Sequence, residues 1–275
     1  YRAIKNKEKI IIYSDYEADG IPGAVILHDA FKKIGIVNFE NYIPHRHDEG
    51  FGLNHGAFDG FKEKGAKLLI TIDCGIGNID EVAYANSLGI DVIITDHHEL
   101  SEKIPPAFAI LNPKLKDCKY PEKMLCGSGV IFKFIQAFLK KYGTEFGVPI
   151  GWEKWLLDLV GIATLSDMVP LTGENRVFAY YGLKVLKKTP RLGLSQLFQK
   201  LRVKREYLNE DDIGFTITPR INAASRMGSP DIAFNLLSTD NVSLAGAYAD
   251  ALERVNNERK GTVASLVKEV KKILS

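Results

Sequence analysis

The chain is short of cysteine, of net charge and of long apolar runs, and each shortage removes a class of protein. No stretch of the 275 residues approaches the roughly 18 consecutive uncharged apolar residues of a membrane-spanning helix. The cysteines, Cys74, Cys118 and Cys126, are too few and too scattered for a disulfide framework; they fit a reducing cytoplasm. No CxxC pair exists, which argues against a thiolate zinc site. The N-terminal Tyr-Arg-Ala-Ile-Lys lacks the apolar stretch of a signal peptide. It also lacks an initiating Met, as expected of a segment cut from a longer chain. With 36 basic and 34 acidic residues the formal net charge is +2, which neither demands nor excludes a polyanionic partner. No internal repeat or low-complexity linker interrupts the sequence.

What is present first is an alternation of short apolar runs and helical patterns. "KIIIYS", "NFENYIP", "AKLLITID" and "GIDVIITD" read as strands. "PGAVILHDAFKKIG" reads as a helix, and so does the segment starting at Asn78, where Asn78 and Glu81 have capping-box spacing. Strand–helix alternation with short connections predicts an α/β fold, a parallel sheet with helices on both faces. From about residue 126 the pattern turns mainly helical: "GVIFKFIQAFLKKYG", "EKWLLDLVGIATLSD" and "RVFAYYGLKVLKK". The expected organisation is an α/β domain over 1–190, a helical continuation over 191–242 with a soft boundary at "KKTPRLG", and a long linker helix over 243–275. On that helix Val263, Leu266, Val267, Val270, Ile273 and Leu274 form an apolar stripe, which either packs back on the core or leads into a further domain. Trp152, Trp155, Tyr180 and Tyr181, at helical spacing, are expected in the core.

Charge is placed less evenly than it is balanced. "IIIYSD", "LLITID", "DVIITD" and "LVGIATLSD" each end on an acid: Asp15, Asp73, Asp96 and Asp167. Open parallel sheets bind ligands at the carboxyl ends of their strands. Asp15, Glu17, Asp19, Asp73, Asp96, His97 and His98 should therefore converge at one edge, with Asp167 joining from a helix end or a later strand. Any one such acid is ordinarily a turn or cap residue. Together they need a cation or retained protons. Carboxylates with one or two imidazoles suit Mn²⁺ or Mg²⁺, and a two-ion site needs a bridging carboxylate, for which Asp73 is placed.

The blocks "SDYEADG", "TIDCGI" and "TDHHEL" resemble the signatures of the DHH phosphoesterase superfamily, with Asp96-His97-His98 as the namesake triplet. "YIPHRHDEGFGLN", "LCGSGVIFK", "SDMVPLTGENR", "TPRINAASRMG" and "VNNERK" resemble, in order, blocks of the RecJ-like single-strand exonucleases. The resemblance runs from about residue 8 to 260. It implies a phosphodiesterase that removes nucleotides from the 5′ end of single-stranded DNA with Mn²⁺ or Mg²⁺. The implied metal ligands are Asp15, Glu17, Asp19, Asp73, His97 and Asp167. His98 is implied to contact the scissile phosphate, and Asp96 to orient His97. Arg46 is implied as a phosphate grip, although a solvated loop residue reads equally from the sequence; Arg220, Asn222 and Arg226 would line the phosphate track. Gly127, Ser128 and Gly129 read either as an anion nest or as close helix packing. His45, His47 and His55 are taken as structural, with His55 starting a helix.

Two positions depart from the family pattern. Tyr13 stands where the family has His, and Glu17 where it has Asp, so one of the two ion sites is expected to be weakened while Asp73, His97 and Asp167 keep the other. Two alternatives follow: a catalytically weakened binding or scaffold module in a replication or repair assembly, and a nuclease or phosphatase acting on short RNA or dinucleotides. RNA and replication or repair proteins are further partners to test; a membrane is not expected.

Overall fold

Apolar runs rich in Ile, Leu and Val become strands because both their faces can be buried. The computed structural model describes residues 1–274. After a single helical turn at Arg2–Lys5 (α1), Lys9–Ser14 forms β1, followed by Gly20–Lys33 (α2), Phe39–Tyr42 (β2), His55–Glu63 (α3), Ala66–Ile72 (β3), Ile79–Ser87 (α4), Asp91–Thr95 (β4) and Ala109–Leu111 (β5). The sheet is parallel throughout, in the order β2-β1-β3-β4-β5. The short β5, half-buried and without a helical pattern before it, carries no periodic signal and was not anticipated. The remaining chain is helical: Gly127–Tyr142 (α5), Leu157–Ser166 (α6), Gly173–Leu186 (α7), Leu192–Lys200 (α8), Thr218–Arg226 (α9), Pro230–Ser238 (α10) and Val242–Leu274 (α11).

Alternation along each strand divides the interior in two. Ile10 and Ile12 of β1, with Leu68, Ile70 and Ile72 of β3, pack on the side of α2, α5 and α6. Ile11 and Tyr13, with Leu69, Val92 and Ile94, pack against Phe58 and Phe61 of α3 and Val82 and Ala85 of α4. Each fully buried Ile or Leu contributes on the order of 1.5–3 kcal/mol. The first core continues past residue 190, since Leu186 and Leu194 share it.

The parity turns Tyr13, near the carboxyl end of β1, onto the α3 face of the sheet. Its ring is buried against Tyr42 and Phe61, and its hydroxyl donates to the Gly52 carbonyl at 2.8 Å. Burial pushes its phenol pKa up, so it stays neutral.

Several local expectations are corrected. Asn78 precedes α4 but makes no side-chain cap; its Oδ1 instead accepts from the Leu53 N–H at 3.2 Å. Tyr180 and Tyr181 are about half exposed, with Lys184 beside both rings. Phe178, Ala179, Gly182 and Leu186 already occupy the inward side of α7, and a 100° step per residue turns 180 and 181 outward. Trp155 is likewise half exposed. His55 does begin α3, stacked on Tyr84 at 4.8 Å.

On α11, Ala245, Ala249, Leu252 and Asn256 recur three and four residues apart and face α8, α9 and α10. Beyond residue 256 the helix leaves this packing, and the apolar stripe from Val263 to Leu274 lies exposed among the described residues.

Candidate metal centre

Strand register brings the acids together. Ser14 pairs with Ile72, Ile72 with Thr95, and Thr95 with Leu111. The ladder runs one residue further, through the Asp15 N–H to the Ile72 carbonyl, Asp73 to Thr95, and Asp96 to Leu111, at 2.9–3.0 Å. Asp15, Asp73 and Asp96 thus stand in one row across three strands. Asp73 adopts a left-handed backbone (φ 61°), which costs a non-glycine residue on the order of 1 kcal/mol or more and persists only under tight surroundings. Gly127 supplies part of that tightness: a Cβ there would lie 2.5 Å from Asp73 Oδ1. Asp167 arrives as the C-cap of α6, the helix end that the sequence left open.

His97 is the hub of the cluster. Its Nε2 lies 3.1 Å from Asp73 Oδ1, 3.7 Å from Asp19 Oδ2 and 3.8 Å from Asp167 Oδ2. Two groupings have donor atoms within 4.8 Å of one another: Asp73, His97 and His98, and Asp19, His97 and Asp167. Asp15 and Glu17 line the same cavity of about 280 Å³ but fall outside both groupings. The Asp15 Oδ2 accepts from the Glu17 N–H at 3.1 Å, and the half-exposed Glu17 carboxylate is paired with Arg46 at 2.8 Å. Arg46 therefore sits at the cavity with its guanidinium also over the Tyr16 ring, 5.2 Å away.

The glycine-containing turn at 127–129 is an anion nest whose anion is internal. Asp19 accepts from the N–H groups of Gly127 at 2.6 Å and Ser128 at 2.7 Å, at the start of α5. Close packing against Asp73 holds as well, so both readings of those residues apply. Asp96, expected to orient His97, holds that residue by its backbone and makes its ring contact with His98 instead. Its Oδ1 accepts from His98 Nδ1 at 2.7 Å and from the backbone N–H groups of His97 and His98, and its Oδ2 accepts from Ile76 N–H. The residue it aligns is His98, because the turn after β4 folds that ring back over Asp96.

Of the expected phosphate contacts, Asn222 lines the cavity while its Oδ1 accepts from Ala18 N–H at 2.8 Å. Arg226 is exposed on the next cleft. Arg220 is not brought to the site. It is buried between α9 and α11, donating to Glu253 and to the Thr216 carbonyl, because its position on α9 faces the neighbouring helix. Phe51, exposed at the cavity wall with its ring 5.8 Å from that of His98, is a feature the sequence reading missed. Its only sequence signal was a large apolar residue inside a polar loop.

Electrostatics shows what the cluster is built to hold. Burial, then the neighbouring Asp19 and Asp15, pushes Asp73 well above the carboxylate range. Burial raises Asp15 to about 7 and Asp167 to about 7, with Glu17 adding to the first and Asp19 to the second. Burial lowers His97. The hydrogen bond that His98 donates to Asp96 raises His98 against its burial; burial pushes Asp96 up, but that same bond and the charge of His98 hold it low. Asp73 Oδ1 and Asp15 Oδ1 are buried without a hydrogen-bond partner; the 3.1 Å approach of His97 to the former lacks hydrogen-bond alignment. Orphaned carboxylate oxygens beside a neutral imidazole fit a hard or borderline divalent cation.

A parallel sheet whose strand ends converge acids and a His-His pair defines a DHH-type core, and residues 9–164 match the DHH family, N-terminal domain. The chain belongs to that family. Among its relatives, the single-stranded-DNA-specific exonuclease RecJ of Bacillus subtilis is 41% identical over 98% of this chain and 33% of that protein. RecJ of Escherichia coli is 35% identical over 94% of this chain and 46% of its own length. A crystal structure of exonuclease RecJ bound to manganese superposes with a TM-score of 0.87 at 31% identity, covering 98% of this chain and 66% of that one. The chain thus spans between a third and a half of the curated relatives' length. No helix among the described residues is long and apolar enough to cross a membrane.

Proposed function

We propose that this chain is the metal-dependent catalytic core of a phosphodiesterase that hydrolyses single-stranded DNA from its 5′ end to mononucleotides. The observation that carries the proposal is the row Asp15–Asp73–Asp96 with His97 as its hub, together with the likeness to RecJ proteins. Asp73, His97 and Asp167, with Asp19 behind them, would hold Mn²⁺ or Mg²⁺, and Asp15 would extend the site toward a second ion. When bound, such cations would offset the charge of the carboxylates and of the scissile phosphate and would lower the pKa of a water. His98, fixed by Asp96 and carrying a raised pKa, is positioned to donate a proton or hydrogen bond to that phosphate. Arg46 and Asn222 border the same cavity and orient the strand, and Phe51 offers a face for a terminal base. Cytoplasmic residence belongs to the proposal, supported by three free cysteines.

The test is mononucleotide release from 5′-phosphorylated single-stranded DNA with Mn²⁺. Release abolished by chelation supports the proposal; absence of release by protein that takes up Mn²⁺ overturns it. A blocked 3′ end should leave release intact, and a blocked 5′ end should stop it. A second reading, a weakened core acting as a scaffold, is favoured by the tie of Glu17 to Arg46 outside the two ligand groupings. It predicts that Glu17→Asp raises the rate substantially. Faster cleavage of an RNA dinucleotide than of a long DNA strand would favour the small-substrate alternative.

A further inference from the structure

At the mouth of the acidic cavity one pair of opposite charges is spent on itself. The Glu17 carboxylate accepts from Arg46 Nη1 at 2.8 Å and has no other hydrogen-bond partner among the described residues. Arg46 commits one N–H there and pairs with no other carboxylate; its guanidinium also lies over the Tyr16 ring. Both side chains line the cavity, and both keep more than a third of their surface in solvent, 36% for Arg46 and 41% for Glu17.

The backbones beneath the pair are fixed on both sides. Arg46 stands between two histidines that turn the other way. His45 Nε2 donates to the Gly228 carbonyl at 3.1 Å, and His47 Nε2 donates to the Arg226 carbonyl at 3.0 Å. Glu49 adds a third tie, accepting from the His45 N–H at 2.6 Å and from the Tyr42 hydroxyl. Gly228 permits the close approach: its φ is 77°, and a Cβ there would lie 2.8 Å from His45 Nε2. On the facing segment the Glu17 N–H donates to Asp15 Oδ2, and the Ala18 N–H donates to Asn222 Oδ1. With both main chains held, the pair opens only by rotation about side-chain bonds. Glutamate has one more such bond than aspartate, and so more places to put its carboxylate from one backbone position. Beside it, Asp15 Oδ1 is buried without a partner.

We propose that Arg46 and Glu17 form a gate that couples the two kinds of ligand this cavity takes. While the pair is closed, Glu17 is withheld from a divalent ion beside Asp15; an anion that draws Arg46 away releases Glu17 to that ion. The ion and the anion are those of the proposed function, on which the gate rests. The coupling is reciprocal, since an ion that draws Glu17 inward frees Arg46 for the anion by the same factor. An ion pair this exposed shifts an affinity by about fivefold at most. The gate therefore sets the order of assembly and does not decide whether either ligand binds. An ion held by Asp73, His97 and Asp167 does not touch the gate, so it binds first, and the part of the site that needs Glu17 is completed around the substrate.

The test is a Mn²⁺ titration, read by the paramagnetic resonance of the free ion, on the unmodified chain, Arg46→Met, Glu17→Gln and the double variant. The tighter ion should bind alike in all of them. The weaker ion should bind about three- to fivefold more tightly in Arg46→Met. That gain should vanish when Glu17→Gln is already present, because the arginine acts through that carboxylate. A gain of equal size in both backgrounds would reduce the effect to one positive charge removed from near a cation, and would overturn the gate. So would an unchanged weaker ion in Arg46→Met, or a single bound ion in every protein. The anion side is read without metal, as binding of thymidine 5′-monophosphate in EDTA. Glu17→Gln should tighten it by a similar factor in the unmodified chain and not in Arg46→Met; equal gains in both overturn the gate. Both side chains are partly solvent-facing and outside the core, so the variants fold as the unmodified chain does. Protein that takes up no Mn²⁺ defeats the proposed function itself, whereas two bound ions with no difference between the backgrounds defeat only the gate.

Discussion

Helix α6 carries an acid in its first turn and another at its C-cap, and the two ends treat charge in opposite ways. Asp158 in the first turn is buried, and it accepts from Arg191 Nε at 2.9 Å, from Thr189 Oγ1 at 2.6 Å and from Leu159 N–H at 2.7 Å. The same arginine pairs with Asp29 at 2.7 Å and donates to the Leu237 carbonyl. Burial works against its charge, and Asp158 and Asp29 more than offset that. About two and a half turns away, roughly 13 Å along the axis, Asp167 joins Asp73, Asp19 and Asp15, which are met by imidazoles and backbone N–H groups and, among the described residues, by no ion-paired lysine or arginine. The first end is electrically closed by the protein itself. The second is left open: burial and neighbouring carboxylates push Asp73, Asp15 and Asp167 toward the protonated form in the absence of a cation. A closed network ties α2, α6 and the start of α8 together; an open one is a binding site.

The largest effect should come from breaking the open end. Asp73→Asn removes the central carboxylate, and nucleotide release should fall by at least about 10³-fold, a loss of roughly 4 kcal/mol of transition-state stabilisation. The same change relieves repulsion, so the metal-free protein should melt higher and lose its Mn²⁺-dependent rise in Tm; calorimetry with and without the ion reads both. Breaking the closed end should do the opposite. Arg191→Met leaves the buried Asp158 and the partly buried Asp29 without their cation and should cost about 3–5 kcal/mol in chemical denaturation, while the affinity of the folded fraction for Mn²⁺ is unchanged.

A pH series sharpens the contrast. Asp15 and Asp167 have folded pKa values near 7, above their ordinary 3.8, so the metal-free folded state holds protons that the unfolded chain has released. Stability should therefore be fully present below about pH 4 for these groups and fall as pH rises toward 7. With saturating Mn²⁺ the trend should reverse, because the ion binds the ionised carboxylates. A metal-free Tm that climbs across that window would contradict the picture of an open acid cluster. The smallest effect belongs to Tyr13→Phe. It leaves the Gly52 carbonyl without its donor, costing about 1 kcal/mol, and should leave nucleotide release untouched, since the ring faces α3 and not the metal centre.

Much of this was legible in the residues. The strand runs, the parallel alternation and the acids at strand ends follow from hydrophobic pattern and chain order, and Asp15, Asp73 and Asp96 align because three strands end in register. The resemblance of "TDHHEL" and its companion blocks to the DHH pattern pointed to the same edge. Other residues were misplaced because their fate depends on what packs against them. Asp19 and Glu17 belong to one short block, yet one is drawn inward by the start of α5 and the other outward by Arg46. Arg220 and Arg226 sit on one helix, but six residues turn them to different sides, one toward Glu253 and one toward solvent. Tyr180 has the spacing of a core residue, but Phe178 and Gly182 fill that face.

The amino-acid order alone determined which segments become strands, that those strands run parallel, and that acids crowd their carboxyl ends, because period and connection length are local properties of a chain. Only the tertiary structure decided which acid is anchored by a helix start, which histidine ring Asp96 holds, and that Glu17 turns to Arg46. Those outcomes turn on distances of a few ångströms between residues far apart in sequence, where a single competing donor or packed ring changes the partner.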